Sequence, residues 1–386
     1  MIKVQKLFQF LMISIGILGL FSACSAQDMV APQATTTAPT PGSLPDPTAS
    51  SILIPVPTDT PYIPTVTNSP TNTTEPHTVM AFTGVIVPAR CVQAEIDQRG
   101  NADYIYDEVR DILAGADITI GTYNAVMSDQ VEMVGCENSW ELVGSPVNAD
   151  ALQQAGFDVM SVATNHIMDC GKKSCGTTAF FDTLYHLQRV GIQTVGAGEN
   201  LSQAKKHVVV EVNGVRFGFV SLGEVNERVF ADAATPGIAV LTLANLTSAI
   251  QQAQEDADIV IVLPHTGPED YPEVTAQQKY WARNAVAAGA DLVVITHAHV
   301  VQGHELIEDV PVFYSLGNFV FDQIWARDHQ QGVILLVTFE NKTITEYEFI
   351  ATVVDQDGTV HLAIGEEKDQ ILARIESLSQ DLEQKK

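Results

Sequence analysis

Two histidines follow a strongly apolar segment late in the chain. The segment reads Asp291-Leu-Val-Val-Ile-Thr-His297-Ala-His299, and its apolar run is typical of a buried strand. Side chains two residues apart on an extended backbone point the same way. His297 and His299 are therefore expected to present two imidazoles, common metal ligands at neutral pH, beyond the carboxyl end of the strand, where α/β sheets usually bind ligands. Alone, a His-x-His pair is more often an ordinary loop feature.

Two earlier apolar segments end in similar polar residues. Asp258-Ile-Val-Ile-Val-Leu-Pro-His265 ends in a histidine, and Phe157-Asp-Val-Met-Ser-Val-Ala-Thr-Asn165-His166 ends in an amide and an imidazole. For any one of these histidines, a hydrogen-bonded structural role is as good an interpretation as ligation. Three predicted strands that each end in nitrogen or oxygen ligands favour a shared site at one edge of a sheet.

Helical and extended patterns alternate through the rest of the chain, which predicts an α/β fold. Asn213-Gly214 between two β-rich runs predicts a hairpin, so part of the structure should be antiparallel. The predicted strands cover 78–87, 116–123, 157–166, 208–222 as the hairpin, 258–265, 291–296, 312–315 and several strands within 333–364. The predicted helices cover 104–113, 148–156, 177–190, 245–256, 275–288 and 368–382, and the last is amphipathic and expected to pack on the body.

The chain begins like an exported protein. Lys3 and Lys6 precede an apolar run over 7–21, and Phe21-Ser-Ala-Cys24 follows, a pattern typical of a secretory signal. A cysteine directly after small residues resembles a bacterial lipobox, so residues 1–24 are predicted to be a signal peptide and Cys24 the lipidated first residue. Phe21 departs from the aliphatic residue usual at that position. A plain signal peptide and an uncleaved anchor are the alternatives.

Residues 25–77 are rich in Thr, Pro, Ser and Ala and carry almost no charge. Such a segment cannot bury enough apolar surface to offset the entropy of ordering it, and its prolines favour extended conformations. It is interpreted as a disordered stalk between a lipid anchor and a folded domain over 78–365, followed by a C-terminal helix over 366–386. This organisation places the protein on the outer face of the cytoplasmic membrane. A tail without a role is the alternative interpretation of the stalk.

The net charge excludes one class of partner. The 386 residues have a formal net charge of −27, whereas proteins that bind nucleic acid need basic stripes. The acidity is therefore interpreted as favouring solubility outside the cell.

Four cysteines remain once Cys24 is set aside, and an even number in an exported chain suggests disulfides. Cys170 and Cys175 are close enough in sequence to close a small loop, which leaves Cys91 with Cys136. A thiolate metal site is the alternative, although a Cys-x-x-Cys pair is lacking.

Four segments resemble motifs of the capsule-synthesis CapA family. Residues 156–171 resemble its GFDVVSLANNHxxDxG, residues 196–204 its GAGxNLxEA, and residues 289–303 its GADxVIGHHPHVxQG. Residues 314–321 match its YSLGNFVF without a gap. The similarity extends from about 81 to 332, and several motifs in the same order are far more specific than any one of them.

The resemblance implies a metallophosphatase-like sandwich of two mixed β-sheets flanked by helices, and a role in making, attaching or processing poly-γ-glutamate or a related capsule polymer. It also implies roles for single residues. Those at metal-ligand positions are Asn165, His265, His297 and His299. Those in catalytic positions are His166 and Arg90, which would stabilise developing negative charge. Those lining the site are Asn124 and Asn318.

Two carboxylates of the family pattern are missing from this chain. The family's opening Gly-Asp is Gly84-Val85 here, and its Asn-Leu-Glu is Asn124-Ala125-Val126. Two metal ions close together need carboxylates to offset their charge, whereas three nitrogen or oxygen ligands and a water can hold one zinc. One divalent ion, zinc or manganese, is therefore expected rather than two. The carboxylates that could substitute are Asp129, Asp169 and Glu269.

Two functional hypotheses follow. In the first, the protein is a lipid-anchored, metal-dependent hydrolase or transferase that acts on an anionic, polyamide or polysaccharide capsule-like polymer, in contact with capsule export machinery. In the second, it is a non-catalytic scaffold that binds or assembles such a polymer. The missing carboxylates favour the second hypothesis, and the retained histidines favour the first.

Overall fold

The computed structural model describes residues 77–171 and 175–384. The predicted signal peptide, Cys24 and all of the predicted stalk except His77 lie outside these ranges. Among the described helices, none combines the length and the apolar character that a membrane span requires.

Two mixed β-sheets form the body of the protein. The larger has the strand order β18-β17-β16-β1-β2-β5-β6, with β15 also paired to β1, and the smaller has the order β13-β14-β12-β11-β9-β8. The strands are β1 His77–Ile86, β2 Ile118–Tyr123, β3 Val126–Met127, β4 Val143–Gly144, β5 Val159–Ser161, β6 Gln193–Val195, β7 Ala197–Gly198, β8 Val208–Val212, β9 Val215–Gly223, β10 Gly237–Ile238, β11 Ile259–His265, β12 Leu292–Val294, β13 His304–Ile307, β14 Val310–Phe313, β15 Asn318–Val320, β16 Gln331–Glu340, β17 Thr343–Val354 and β18 Val360–Leu362.

Successive side chains of the strands pack alternately into different hydrophobic cores, so the two sheets and the helices form layers. On β1, Met80 and Phe82 face a core shared by the two sheets, whereas Ala81 belongs to a second core under the helices that cover the larger sheet. On β11, Ile261 faces the shared core and Val262 faces a third core under other helices. Successive side chains of a strand point to opposite faces, so both sheets are buried on two sides. The predicted pair of mixed sheets flanked by helices is confirmed.

The helices begin and end close to the predicted positions. Helix α7 has a capping box between Thr275 and Gln278 and ends before Gly289, whose φ of 104° suits a glycine C-cap. The helices are α1 Cys91–Arg99, α2 Arg110–Gly115, α3 Val147–Ala155, α4 Thr178–Arg189, α5 Leu201–Ala204, α6 Leu243–Asp256, α7 Ala276–Ala288, α8 Arg327–Gln330 and α9 Gly365–Gln384.

Two local expectations are confirmed. Strands β8 and β9 form the predicted hairpin, and both Asn213 and Gly214 have positive φ, as a type I′ turn requires. Helix α9 packs on the body through buried Ile371 and Ile375, and the Ser379 hydroxyl accepts a hydrogen bond of 2.9 Å from the backbone of β13.

Two other expectations are wrong in detail. The predicted helix over 104–113 is a 3-10 turn over Asp103–Tyr106 followed by the short α2. The predicted strand over 157–166 is paired only over Val159–Ser161, because the chain then leaves the sheet. Asn165 and His166 therefore lie in a turn beyond the strand end, not on the strand.

Candidate metal centre

His297 and His299 meet, but not for the reason that strand alternation predicts. Strand β12 ends at Val294, and the φ angles of His297 and His299 are 107° and 60°. A left-handed backbone is unusual outside glycine and is concentrated at functional sites. The loop bends so that the centroids of the two rings lie 5.9 Å apart. The two imidazoles therefore lie close together as expected. The prediction that an extended backbone brings them together is wrong, because both residues have positive φ.

His265, the last residue of β11, connects the two sheets at the centre. Its Nε2 lies 3.0 Å from Asn165 Oδ1, its Nδ1 lies 2.9 Å from Thr296 Oγ1, and its ring centroid lies 4.6 Å from that of His297. Because an amide oxygen only accepts, His265 donates through Nε2 and the Thr296 hydroxyl donates to Nδ1. The structure thus brings together three of the predicted ligands: Asn165, His265 and His297.

Glu269 supplies a carboxylate on the same side. One ligand atom each from Glu269, His297 and His299 lies within 4.8 Å of the other two, and Glu269 Oε1 is 3.9 Å from His297 Nε2. In the sequence, Glu269 is only one of three carboxylates that could substitute for the missing ones. Its position four residues after His265, at the exit of the same predicted strand, is the signal that could have ranked it first.

The imidazoles are neutral and partly free to bind an ion. Burial lowers the pKa of His297 to about 3 and of His299 to about 4, and lowers that of His265 well below its ordinary value. His299 Nδ1 lies 2.7 Å from Asn318 Oδ1, so its Nε2 can face a ligand. The buried His297 Nδ1 has no hydrogen-bond partner among the described residues. Neutral, oriented imidazoles beside a carboxylate fit one divalent ion.

Burial also raises the pKa of Glu269. A cation placed between this carboxyl group and the imidazoles would favour the ionised form. Glu269, His297 and His299 thus match the donor set of a transition ion such as zinc better than that of Mg²⁺ or Ca²⁺, which prefer oxygen ligands.

His166 lies at the rim, held by a carboxylate. Its Nδ1 is 2.8 Å from Asp169 Oδ2, which also accepts from the backbone N–H of Leu142 at 2.7 Å. The backbone N–H of His166 donates to Asn124 Oδ1 at 3.3 Å. Asp169 therefore orients the His166 ring rather than serving as a substitute ligand. Asp129 lines a separate groove that contains none of the predicted ligands.

Arg90 lines the site, and its charge is paired with a buried carboxylate. It has a φ of 52° just before α1, and its guanidinium forms a buried ion pair with Asp322. Its Nη1 also donates to the carbonyl of Ser139 at 2.9 Å, and its charge lies 5.1 Å from the centroid of the Phe321 ring. Asp322 offsets the charge of the guanidinium, and the role expected for Arg90, to stabilise developing negative charge, stays a prediction. Sequence reasoning missed Asp322, which follows the YSLGNFVF segment directly.

The positions of the missing carboxylates are apolar and buried. Val85 belongs to the core beneath the helices of the larger sheet, and Val126 belongs to a small cluster with β4 and α4. Beside them, Asn124 Nδ2 and the Tyr123 hydroxyl have no hydrogen-bond partner among the described residues. The β1–β2 side of the site therefore presents the Asn124 amide and apolar side chains where the family pattern has acids.

Two disulfides connect the segments around the rim. Cys91 is bonded to Cys136 and Cys170 to Cys175, the pairs that the sequence analysis expected. Cys91 follows Arg90, and its backbone N–H donates to Asp322 at 3.1 Å. The first disulfide thus ties the loop before β4 to the Arg90–Asp322 pair.

The centre opens into a small cavity of about 30 Å³, enough for about one or two water molecules. Two larger grooves, of about 480 and 550 Å³, contain none of the predicted metal ligands. The cavity is lined by Arg90, Asn138, Ser139, Trp140, Leu142, His166, Glu269, His299, Phe321, Gln323 and Trp325.

The protein belongs to the bacterial capsule synthesis protein PGA_cap family, whose model matches residues 79–323. The PGA biosynthesis protein CapA of Bacillus subtilis is 32% identical over 256 residues, which are 66% of this chain and 66% of that protein. The capsule biosynthesis protein CapA of Bacillus anthracis is 32% identical over 273 residues, 68% of this chain and 64% of that protein. The chain thus spans slightly less than two thirds of the length of these relatives.

Solved structures are similar only at a coarse level. A phosphatase from Mycoplasma pneumoniae has a TM-score of 0.44 and 13% identity, over 72% of this chain and 94% of that chain. The NAD nucleotidase of Haemophilus influenzae has a TM-score of 0.40 and 12% identity, over 78% of this chain and 56% of that chain. Values of this size support no conclusion about ligand or activity.

Proposed function

We propose that this protein takes part in making a capsule polymer of the poly-γ-glutamate type at the cell surface, and that it hydrolyses or transfers a bond of that polymer with one divalent ion, zinc or manganese. The observation that carries the proposal is the cluster of Glu269, His297 and His299, whose ligand atoms lie within 4.8 Å of one another. Membership of the capsule synthesis family supports the polymer class.

The residues divide into ligands and rim groups. Glu269, His297 and His299 hold the ion, and the hydrogen-bonded pair of His265 and Asn165 packs beside them, with the His265 ring 4.6 Å from that of His297. When bound, the ion supplies Lewis-acid polarisation of the scissile group and acidifies a water. These five residues lie on loops and strand ends that the two sheets place at one edge.

His166 faces the cavity from the rim, where it can donate a proton to the leaving group or stabilise charge that develops on it. The carboxylate of Asp169 keeps the ring in one orientation and favours a proton on Nδ1. Because Arg90 is paired with Asp322, its role in this scheme is to hold the rim loops and to line the cavity, where a substrate can still share its remaining donors.

Metal content and hydrolysis test the proposal together. The full-length protein is dialysed against zinc or manganese buffers and measured by elemental analysis, and the same samples are assayed on poly-γ-glutamate and on phosphodiester test substrates. We expect about one ion per chain and an activity lost in EDTA. His166→Ala should keep the ion and lose the activity. A metal content near zero in the parent would exclude the proposal.

The second candidate function is a scaffold that binds or assembles the polymer without catalysis. Two observations favour it, namely the buried apolar side chains of Val85 and Val126 at the positions of family carboxylates and the neutralised Arg90. Binding of the polymer with equal affinity by the parent and by His166→Ala, and no turnover by either, would select this function.

The location at the outer face of the cytoplasmic membrane, with contact to capsule export machinery, is part of the same proposal. Its support is the sequence ending in Cys24 and the stalk that follows it. Cys24→Ser should release the protein from the membrane fraction of the producing cells. An equally membrane-bound variant would contradict the lipid anchor and leave the enzymatic proposal untouched.

A further inference from the structure

His329 is a buried histidine outside the proposed ligand cluster. It belongs to α8, between β15 and β16, and is 5% exposed. The ligand atoms that lie close enough together to hold an ion belong to Glu269, His297 and His299. A buried imidazole that binds no metal is costly unless it is hydrogen-bonded. The contacts of His329 therefore indicate what its burial achieves.

The His329 ring makes one hydrogen bond within the described part of the chain, and its partner is Asp270. Nε2 of the ring lies 2.5 Å from Asp270 Oδ1, and the imidazole donates because an ionised carboxylate only accepts. Nδ1 is buried and has no partner among the same residues. The side chain of His329 is 6% exposed and that of Asp270 is 58% exposed. The ring is therefore a fixed donor that holds a surface carboxylate.

Asp270 is the residue through which this contact reaches the metal centre. It follows Glu269 directly, and its φ of 65° lies in the left-handed region, which Asp adopts more readily than most residues. Its backbone N–H donates to the carbonyl of Ala298 at 3.0 Å, and Ala298 lies between His297 and His299. Asp270 thus joins the loop that carries Glu269 to the loop that carries the two imidazoles.

The backbone of His329 reaches the centre by a second route. Its carbonyl accepts from Asn318 Nδ2 at 2.9 Å, and Asn318 Oδ1 accepts from His299 Nδ1 at 2.7 Å. A partner on the second nitrogen of a ligating histidine fixes the orientation of the ring. His329 therefore supports the loop of Glu269 through its ring and the imidazole of His299 through its carbonyl.

The helix that carries His329 is itself held in place. Arg327 pairs with Glu367 at 2.6 Å and Asp328 pairs with Arg374 at 3.0 Å, and both partners belong to α9. Single surface ion pairs contribute little energy, but two of them on a helix of four residues restrict where its backbone lies. The donor on His329 is thus presented from a fixed element.

We propose that His329 is a positioning residue of the metal centre. Its ring holds Asp270, so that the carboxylate of Glu269 faces the two imidazoles, and its carbonyl holds the amide that orients His299. This role rests on the proposed function, because it assumes an ion between these side chains. The hydrogen bond of His329 is present without the ion, so the metal centre and the positioning role can fail separately.

The test compares the zinc affinity of matched variants of the full-length protein in detergent, by competition with a chelating dye. His329→Phe keeps a ring beside that of Trp325, which lies 5.5 Å away between centroids, and removes the donor. Asp270→Gly removes the acceptor and tolerates the φ of 65°. Each should weaken zinc binding about 10-fold to 30-fold. The double variant should bind no more weakly than either single variant, because both changes remove the same hydrogen bond.

A conservative variant and a matched control accompany these measurements. His329→Gln, whose amide nitrogen can replace Nε2 as the donor, should recover most of the affinity. His207→Phe removes another imidazole paired with an exposed carboxylate, that of Asp256 at 3.2 Å. It should bind zinc as the parent does.

Cobalt absorption separates positioning from a loss of stability. At saturating Co²⁺, the visible spectrum of His329→Phe should differ from that of the parent in intensity and band position, because the Glu269 carboxylate no longer meets the ion in the same geometry. A substitution that only destabilises the fold leaves the spectrum of the saturated protein unchanged.

Parent-like zinc affinity in both His329→Phe and Asp270→Gly would overturn the positioning role and leave the metal centre standing. Losses that add in the double variant, or an equal loss in His207→Phe, would overturn it as well. A parent protein that binds neither zinc nor cobalt would exclude the metal centre and the positioning role with it. Because Asp270 is exposed, Asp270→Gly should fold whatever the effect of the buried substitution, and this variant alone can decide.

Discussion

The two sides of the candidate centre are built from different chemistry. On the β11–β12 side, His265, Thr296 and His297 are buried polar groups, and two of them are hydrogen-bonded to each other at 2.9 Å. On the β1–β2 side, Val85 is fully buried in an apolar core, and the amide nitrogen of Asn124 has no partner among the described residues. The β11–β12 side therefore has polar groups arranged to hold an ion, whereas the β1–β2 side has apolar residues at the positions of the family's carboxylates.

This difference indicates how many ions the centre can hold. A divalent pair brings four positive charges, and the described cluster offers one carboxylate, Glu269, with two neutral imidazoles. Burial makes uncompensated charge expensive, so the β1–β2 side cannot hold a second cation without a new acid. The asymmetry favours one ion held mainly by loops of the smaller sheet.

Of the changes considered, replacement of His297 on the β11–β12 side should reduce metal binding most. His297→Ala removes one of the three side chains that hold the proposed ion, the others being Glu269 and His299. We expect the affinity for the ion to fall at least about 100-fold. The metal content should then fall from about one ion per chain to near zero. The variant should still fold, because His297 Nδ1 has no hydrogen-bond partner among the described residues and the substitution therefore breaks no hydrogen bond at that atom. Elemental analysis and a thermal melt measure both. His361→Ala, which removes a surface histidine between Glu108 and Asp355, is the matched control. Equal metal content in both variants would contradict the assignment.

Val85→Asp tests the other side directly. An unpaired carboxylate at this buried position should destabilise the metal-free protein by about 2 to 4 kcal/mol. If the new acid reaches the centre, manganese should recover much of that loss and raise the metal content above one. Val85→Asn, similar in size and uncharged, is the control. The free energy of unfolding is measured by denaturant titration with and without manganese. If manganese does not reduce the destabilisation, position 85 faces only the apolar core.

The site residues that could be predicted from the sequence are those at the ends of strands. His265 ends a long apolar run, so its place at the sheet edge follows from β11 itself. Asp322 and Glu269 lie on loops, and no periodicity says which way a loop turns. The left-handed backbone at His297, with a φ of 107°, likewise follows no pattern in the sequence. The fold was more predictable than the site because buried strands and helices repeat a pattern and loops do not.

The buried imidazoles should make the metal-free protein sensitive to acid. Their ordinary pKa of 6.5 is lowered to about 3 in His297 and about 4 in His299, so the unfolded chain binds more protons between these values. Stability should therefore be present above about pH 6.5 and decline as the pH falls toward 4, by about 3 kcal/mol for each ring. Denaturant unfolding in EDTA across this range measures it.

The raised pKa of Glu269 has the opposite sign, because its folded form retains a proton that the unfolded chain loses as the pH rises. The double variant His297→Gln and His299→Gln separates the two contributions. Its stability should decline less than that of the parent between pH 6.5 and 4. Parallel pH profiles for the parent and the double variant would contradict the assignment of acid sensitivity to these rings.

The smallest effect is expected at Asn318, which belongs to the larger sheet but serves the metal-holding side. Its Oδ1 accepts from His299 Nδ1 at 2.7 Å, and its Nδ2 donates to Gln323 at 3.0 Å and to the carbonyl of His329 at 2.9 Å. Asn318→Ala should therefore release the His299 ring and weaken metal binding about tenfold, the usual effect of losing the partner of a ligating histidine. Gln323→Ala removes a partner of the amide without touching His299, so it should weaken binding less. Competition with a chelating dye measures both affinities. If Asn318→Ala binds the ion as tightly as the parent, His299 is oriented by the strained loop alone, and the larger sheet contributes nothing to the metal-holding side beyond Asn165.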